Sequence, residues 1–549
     1  MVERDNRHVA NHLLALAALI ASPAVSLAAP APTDPVQVAK VVSQESVAGE
    51  HFGVNCALSG DTLVCGVPFH DEPGFDVTGA VYVYVRNGAG WAPQAQLLAP
   101  ELDGLAKFGH AVAIDGDTLV ASSPSDETGT PETRGAAYVF VRSGGTWSLE
   151  VRLEHPELAD DTGFGDTVAI SGDTIVVGAT ADSTAVPFSG SAHVFVRSGS
   201  EWTHEAELVP AEAQDGDNFG YQVDVWGDTA VLTSRFYDAS GPFTDEGAAA
   251  VFVRSGTSWT QEAFLMADDT IPNDRFGQAA ALGDDLLVVG SWTVDAGGIT
   301  NTGAAYVFER SAGEWAQQAK LVPSDVAFQD HFGYAVAISG GAVVAGSNAD
   351  DNAAGIDAGA AYVFSRSEGS WVEQAKLVAA DGRPEDFFGT AVAIDGETVV
   401  AGSHFADLTA KVDAGAAYVF AVDGLDAWTD LGSGLAGAGG VPAFSGTGTL
   451  VAGQPVTLAL SNAAPSALAM LFVSFASAPA PFKGGTLVTV PVALMLPLAT
   501  GPGGALNLGV PAWPAGVPSG ASLYFQYAIQ DAGAPFGVAL SNALRGDVP

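Results

Sequence analysis

The chain has 549 residues, 48% of them hydrophobic, and its 63 acidic against 20 basic side chains give a net charge of −43. That length exceeds a single ordinary core and suits two or three domains. A polyanion of this kind repels nucleic acid and anionic membrane surface, so neither is expected as a partner; the charge favours cations or basic partners, or simply keeps the protein soluble.

In chain order, the first feature is a short apolar run, "LLALAALIA" from Leu13, preceded by Arg4 and Arg7 and followed by the small residues "SLAA". It predicts a signal peptide over residues 1–28, although Glu3 and Asp5 dilute the positive start. The run is well short of the roughly 20 residues a spanning helix needs, and no later apolar run is long enough, so no transmembrane span is expected. The expected location is secreted or cell envelope.

Next comes an isolated "VQVAKVV" at residues 36–42, and then one pattern written seven times. A Phe-Gly pair recurs at Phe52, Phe108, Phe164, Phe219, Phe276, Phe332 and Phe388, each followed at a steady offset by a tryptophan, from Trp91 to Trp428. A fixed period of this size marks a repeat architecture in which each unit buries its apolar surface on the next. In the copy from Phe332, "YAVAI", "AVVAG", "GAAYVFSR" and "WVEQAKLV" read as four strands, with tight turns after the first and third. The inner runs are apolar on both faces, so each sheet must be covered on both sides. Seven such sheets are what a seven-bladed β-propeller requires. The text at residues 36–42 reads like the fourth strand "QQAKLV" with no blade in front of it, while the text after Trp428 lacks that strand. The N-terminal segment is therefore expected to close the last blade and remove its free edge.

The Phe-Gly pairs, the "VVGA" at residues 176–179, the "VAGS" at residues 400–403 and the repeated "GAAYVF" resemble FG-GAP repeats, related to the seven-bladed propeller of integrin α subunits. The resemblance covers residues 36–428. It implies ligand recognition on one face of the disc. One departure is plain: integrin-type repeats often carry a DxDxDGxxD calcium loop between the first two strands, and here that connection is only "SGD", "DGD" or "DGE", too short to wrap a hard cation.

Two cysteines, Cys56 and Cys65, flank the first hairpin turn. They face each other directly if the turn is centred on Gly60 and Asp61, and are diagonal if it is centred on Ser59 and Gly60. A disulfide and two buried thiols both remain open.

Residues 429–549 hold only three acids and two bases, do not repeat the blade, and are broken by Pro and Gly every eight to twelve residues. Short runs such as "QPVTLALS" and "ASLYFQYAI" predict a small β-sandwich-like domain, a spacer or a means of cell-surface association. The fold class expected is thus all-β. The closing "LRGDVP" contains Arg545, Gly546 and Asp547, a tripeptide short enough to arise by chance, and is not read as a ligand.

An up-and-down blade sends its first and third connections to one side of the disc and its second and fourth to the other. The former are tight turns and the latter long, varied, acidic loops, so one face is built for contact. What recurs in every blade is structural on grounds of economy, whereas a specific site is written once. The unrepeated loop residues Phe69, His70, Phe236, Tyr237, Trp292, His404 and Phe405 are therefore the ligand-binding candidates, for an extracellular protein or glycan. No HExxH, GxSxG, P-loop or activated cysteine is present, so the reading is a non-enzymatic binding or adhesion module; a propeller hydrolase or lyase with its site at the central channel is the rival. Finally, Glu50, Asp217, Asp274, Asp330 and Asp386 stand two residues before their Phe-Gly pairs. They are the metal candidates, for weakly held calcium along one rim, unless each simply bonds the backbone of its own turn.

Overall fold

The computed structural model describes residues 35–549 except 45–46, 72–76, 89, 101–104, 127–134, 158–161, 284, 312, 368–369, 410, 423–427, 431–434, 438–440, 448–449, 451–455, 475–479, 484, 488–491, 502, 511–521 and 548–549. The expected signal peptide lies outside the described residues. Asp34–Val422 form one compact unit, and the described residues beyond it belong to a second.

The first unit is a propeller of seven four-stranded antiparallel sheets. The first blade contains Asn55–Ser59, Thr62–Val67, Ala80–Asn87 and Gly90–Leu97 in that spatial order. The second strand is buried throughout, and in the third the first five residues are buried, as a sheet covered on both faces demands. First strands of consecutive blades contact one another around a closed ring, the seventh meeting the first. They are therefore innermost. In the seventh blade the fourth position is taken by Val36–Val41, which pairs antiparallel with Ala416–Ala421.

The Phe-Gly pair is the joint between blades. Every one of its phenylalanines is fully buried, and Phe108 packs edge-on against Tyr138 and Phe140 of its own blade. Its amide donates backward to the Thr78 carbonyl of the preceding blade, and Phe52 does the same to Ala414, so the joint also closes the ring. The following glycine has no room for a side chain: a Cβ on Gly53 would lie 2.5 Å from the Ala416 carbonyl oxygen. Its φ is +85° as well, a region that disfavours residues with a Cβ.

The opposite end of the disc is knitted by its tight turns. Ser59 Oγ accepts from the Gly116 amide of the next blade, and Asp395 of the seventh accepts from Gly60 of the first at 2.5 Å. Arg142, Arg197 and Arg254 each bridge to an aspartate of the first hairpin turn and lie over the tryptophan that follows. The Cys56 and Cys65 positions are direct partners because the turn is centred on Gly60 and Asp61; both are free and buried, with sulfurs 2.8 Å apart.

In the second unit a sheet containing Val456–Ser461 and Leu506–Val510 faces another containing Leu468–Ser474, Leu494–Ala499 and Ser522–Gln530. Leu458 and Leu508 from the first share one core with Leu471, Phe525 and Tyr527 from the second. That is a sandwich arrangement.

Candidate binding face

The residue just before each Phe-Gly pair is held in the left-handed region: His51, Lys107, Asn218, Arg275, His331 and Phe387 have φ between 51° and 58°. The blades that recur in backbone do not recur in chemistry here. The same holds for the residue after each second strand, where Arg235, Trp292 and His404 stand in their respective blades.

These two positions meet at the inner ends of the long loops. Across the seventh and first blades, the His51 ring lies 5.0 Å from Phe69, 4.9 Å from Phe405 and 5.8 Å from His404, while Phe387 packs on Phe405 at 5.6 Å. Burial, aided by the neighbouring His51, pushes the His404 imidazole down to about 4, so it is neutral at physiological pH. Its Nδ1 is buried without a hydrogen-bond partner.

A second group joins the fifth and sixth blades. Trp292 lies 4.7 Å from His331 and 5.9 Å from Tyr334, with the Arg275 guanidinium 5.7 Å from its ring. With Asn273, Asn301 and Gln329, the residues Arg275, Trp292 and His331 line a cleft of about 440 Å³. The indole Nε1 and Arg275 Nε are buried donors without partners. In the fourth blade, Arg235 stacks on Tyr221 at 4.3 Å and on Phe236 at 4.7 Å, within cation–π range.

Phe236 also lines a smaller cleft, about 230 Å³, with Asp215, Asp238, Phe243 and Asp245. Asp238 shapes this loop by accepting from the amides of Phe243, Thr244 and Asp245. Partial burial would push its carboxyl up, but those bonds hold it below the usual range. Phe243 is left 91% exposed. Phe188, Phe328, Ile356 and Val412, on the long loops of other blades, are also exposed.

Of the seven binding candidates, the structure brings Phe69, His404 and Phe405 into one cluster and sets Trp292 and Phe236 in the two clefts. It buries His70 and leaves Tyr237 half-buried against its own blade. His70 is 3% exposed, its Nδ1 2.7 Å from Glu50 and its Nε2 3.3 Å from Gln96. Tyr237 packs on Phe219 and Phe264, filling the space left where Ala250 replaces the usual third-strand tyrosine. Both are third after their second strand, a position that packs toward the blade, fully so at His70 and in part at Tyr237. Sequence reasoning missed His51, Tyr221, Arg235, Arg275, His331, Tyr334 and Phe387; the signal was variation at a position whose neighbours never vary.

The five metal candidates sit one to a blade, and all are buried. Asp217, Asp274, Asp330 and Asp386 each accept from a backbone amide three residues earlier, at 2.5 to 2.8 Å. Glu50 accepts from the Val47 amide and Ser43 and contacts His70. Each carboxylate thus bonds its own turn. Burial raises the carboxyls of Asp217, Asp274 and Asp330 to about 6, against the pull of those amides.

A family model described as FG-GAP repeat matches residues 35–84, 91–140, 147–195, 202–252, 259–308, 315–364 and 371–420. The chain belongs to the FG-GAP repeat family. Each matched FG-GAP unit starts at the fourth strand of one blade and ends in the third strand of the next, and the first starts at the strand that completes the seventh blade. FG-GAP propellers are often involved in binding or adhesion, and the fold is typically non-catalytic. No curated protein matches the chain. Among solved structures, a chain from a crystal structure of the mitotic checkpoint complex aligns over 72% of this chain and 98% of its own at 12% identity and a TM-score of 0.41, a likeness too distant to carry an argument.

Proposed function

We propose that this FG-GAP protein is an exported, non-enzymatic binding or adhesion module whose long-loop face contacts an extracellular protein or glycan. The observation that supports this best is the gathering of half-buried, unrepeated rings and guanidinium groups at the inner ends of the long loops: His51 with Phe69 and Phe405, Arg275 with Trp292, and Arg235 with Phe236. Aromatic faces and arginine are the groups that dominate binding energy where they can be fully desolvated. Exposed Phe188, Phe243 and Phe328 extend the apolar surface outward on the same loops. The second unit serves as spacer or attachment domain.

The test is a paired screen of the full chain against immobilised glycans and envelope proteins for retention, and against glycan and ester substrates for turnover. Saturable retention with no turnover is the expected result. Turnover of any substrate at a rate that scales with protein would overturn the non-enzymatic reading.

A further inference from the structure

The repeat breaks at three positions that come together, two in the third blade and one at the end of the second. Third-strand Tyr138, Tyr306, Tyr362 and Tyr418 have their counterpart in His193. Opposite those tyrosines the fourth strand carries a base, Arg152, Lys320, Lys376 or Lys40, whereas Glu207 stands opposite His193. Two residues beyond the fourth-strand leucine, where other blades have Ala99, Pro210, Ala267, Pro323 and Ala379, the second blade supplies His155. The tyrosine-and-base arrangement has a clear purpose elsewhere: in the sixth blade Lys376 Nζ lies 2.8 Å from both Asp325 and Asp350, and Tyr362 donates to the same two acids. The third blade keeps the acid, Asp182, and loses the base.

What replaces it is a converging set of ligand atoms. His155, Asp182 and His193 are all buried, at 6%, 4% and 2% exposure. His155 Nε2 is 3.4 Å and His193 Nε2 3.5 Å from the same oxygen, Asp182 Oδ2. These separations are long for hydrogen bonds to an ionised acid. They match the edge of a tetrahedron around an ion with bonds of about 2.0–2.1 Å, which is about 3.3 Å. Among the described residues this is the one group of three or more His, Cys, Asp or Glu whose ligand atoms lie within 4.8 Å of one another.

The surrounding bonds orient both rings. His193 Nδ1 faces His204 Nε2 at 3.2 Å, and His155 Nδ1 is 2.9 Å from the Glu157 carbonyl oxygen and 3.2 Å from the Glu157 amide nitrogen. The shorter His155 contact requires an Nδ1–H, which leaves Nε2 as the bare lone pair, the outer-shell pattern found around metal-ligating histidines. Ser191 donates to Asp182 Oδ2 at 2.7 Å, and Ser183 and Thr184 bond its other oxygen. Glu207 Oε1 is buried with no hydrogen bond. Glu207, the cross-strand partner of His193, adds a second carboxylate to that of Asp182, a charge that a divalent ion would balance.

We propose that His155, Asp182 and His193 bind a divalent transition ion of the zinc class, with Glu207 as the second balancing carboxylate. Imidazole and carboxylate together suit zinc rather than calcium, which prefers oxygen ligands alone. The ion ties the end of the second blade to the loop and third strand of the third.

The test uses the full chain, stripped with chelator and then dialysed against zinc. One tightly held zinc per chain is expected, with a higher melting temperature than in the stripped protein and no such rise with an equal concentration of calcium. His193→Tyr, which restores the tyrosine of the second, fifth, sixth and seventh blades, and His155→Ala, which restores the counterpart of Ala99, should each lower zinc affinity at least about 100-fold while the protein still melts cooperatively. X-ray absorption of the zinc-loaded wild type should show two imidazole ligands, a readout that does not depend on either variant folding. Absence of zinc binding, or zinc retained in both folded variants, or a ligand shell without imidazole, would overturn the proposal.

Discussion

A Cβ on Gly290 would lie 2.0 Å from the carbonyl oxygen of Gly333 in the next blade, backbone against backbone, so neither side can yield cheaply. Gly290→Ala is expected to destabilise the protein by about 3 kcal/mol or more, measured by denaturant unfolding, whereas Gly→Ala at Gly144, which faces open space, acts only through its left-handed backbone and should cost less. The buried aspartates make a second residue-scale prediction. A carboxyl raised from its ordinary value to about 6 binds its proton more tightly in the fold than in the unfolded chain, so its stabilising effect is present at low pH and lost as pH rises through about 6. Asp330→Asn keeps an acceptor for the Ala327 amide and removes the charge. The variant should melt above wild type at pH 7.5, and the gap should close as pH falls toward 4; a gap independent of pH would show that Asp330 is not raised. Comparison with wild type is essential because the depressed imidazoles of His51, His331 and His404 act in the opposite sense. At this scale the sequence was legible where a residue recurred, as at each Phe-Gly, and misleading at His70, because whether a loop side chain points out or in depends on its distance from the strand end. The His155–Asp182–His193 group was visible only as a misprint, "GSAHVF" where four other blades read "GAAYVF", and nothing local ties His155 to it.

The strand is the element on which the ring depends. Val36–Val41 covers the third strand of the seventh blade through five residue pairings, with one bulge. Without it, Ala416–Ala421 would become an exposed, largely apolar edge, the form most prone to pair with another chain. A protein that begins at residue 45 should lose several kcal/mol, at roughly 0.2–1 kcal/mol for each cross-strand pair together with the lost burial, and should aggregate. A synthetic peptide of residues 35–44 should restore solubility; an unchanged melting temperature and a monomeric truncated protein would contradict the pairing. Elements were easy to read in the propeller because seven copies average out local ambiguity. After residue 422 there is one copy of each strand, Pro and Gly are frequent, and pairing joins strands far apart in sequence, such as Leu468–Ser474 with Ser522–Gln530, so the run positions were apparent but their order in the sheets was not.

For the whole molecule, a closed ring of seven similar blades fixes two unlike faces. The tight-turn face repeats its chemistry in the first four blades, where Arg86, Arg142, Arg197 and Arg254 lie over their tryptophans. The long-loop face does not repeat, and there the −43 net charge is interrupted by Arg235, Arg275, Trp292 and the His51 cluster. Electrostatics argues that association with a basic or polar partner is salt-dependent, whereas stacking on Trp292 is not. The most direct test of the account compares retention on whatever glycan or protein surface the wild type binds, for two variants of matched stability: Phe69→Ala with Trp292→Ala and Phe405→Ala on the long-loop face, and Trp226→Ala at the tight-turn end, where that ring is 51% exposed. The first is expected to lose at least about 2 kcal/mol of binding, about a 30-fold rise in Kd, while the second binds as wild type does. Equal retention by both, or loss confined to Trp226→Ala, would contradict the account.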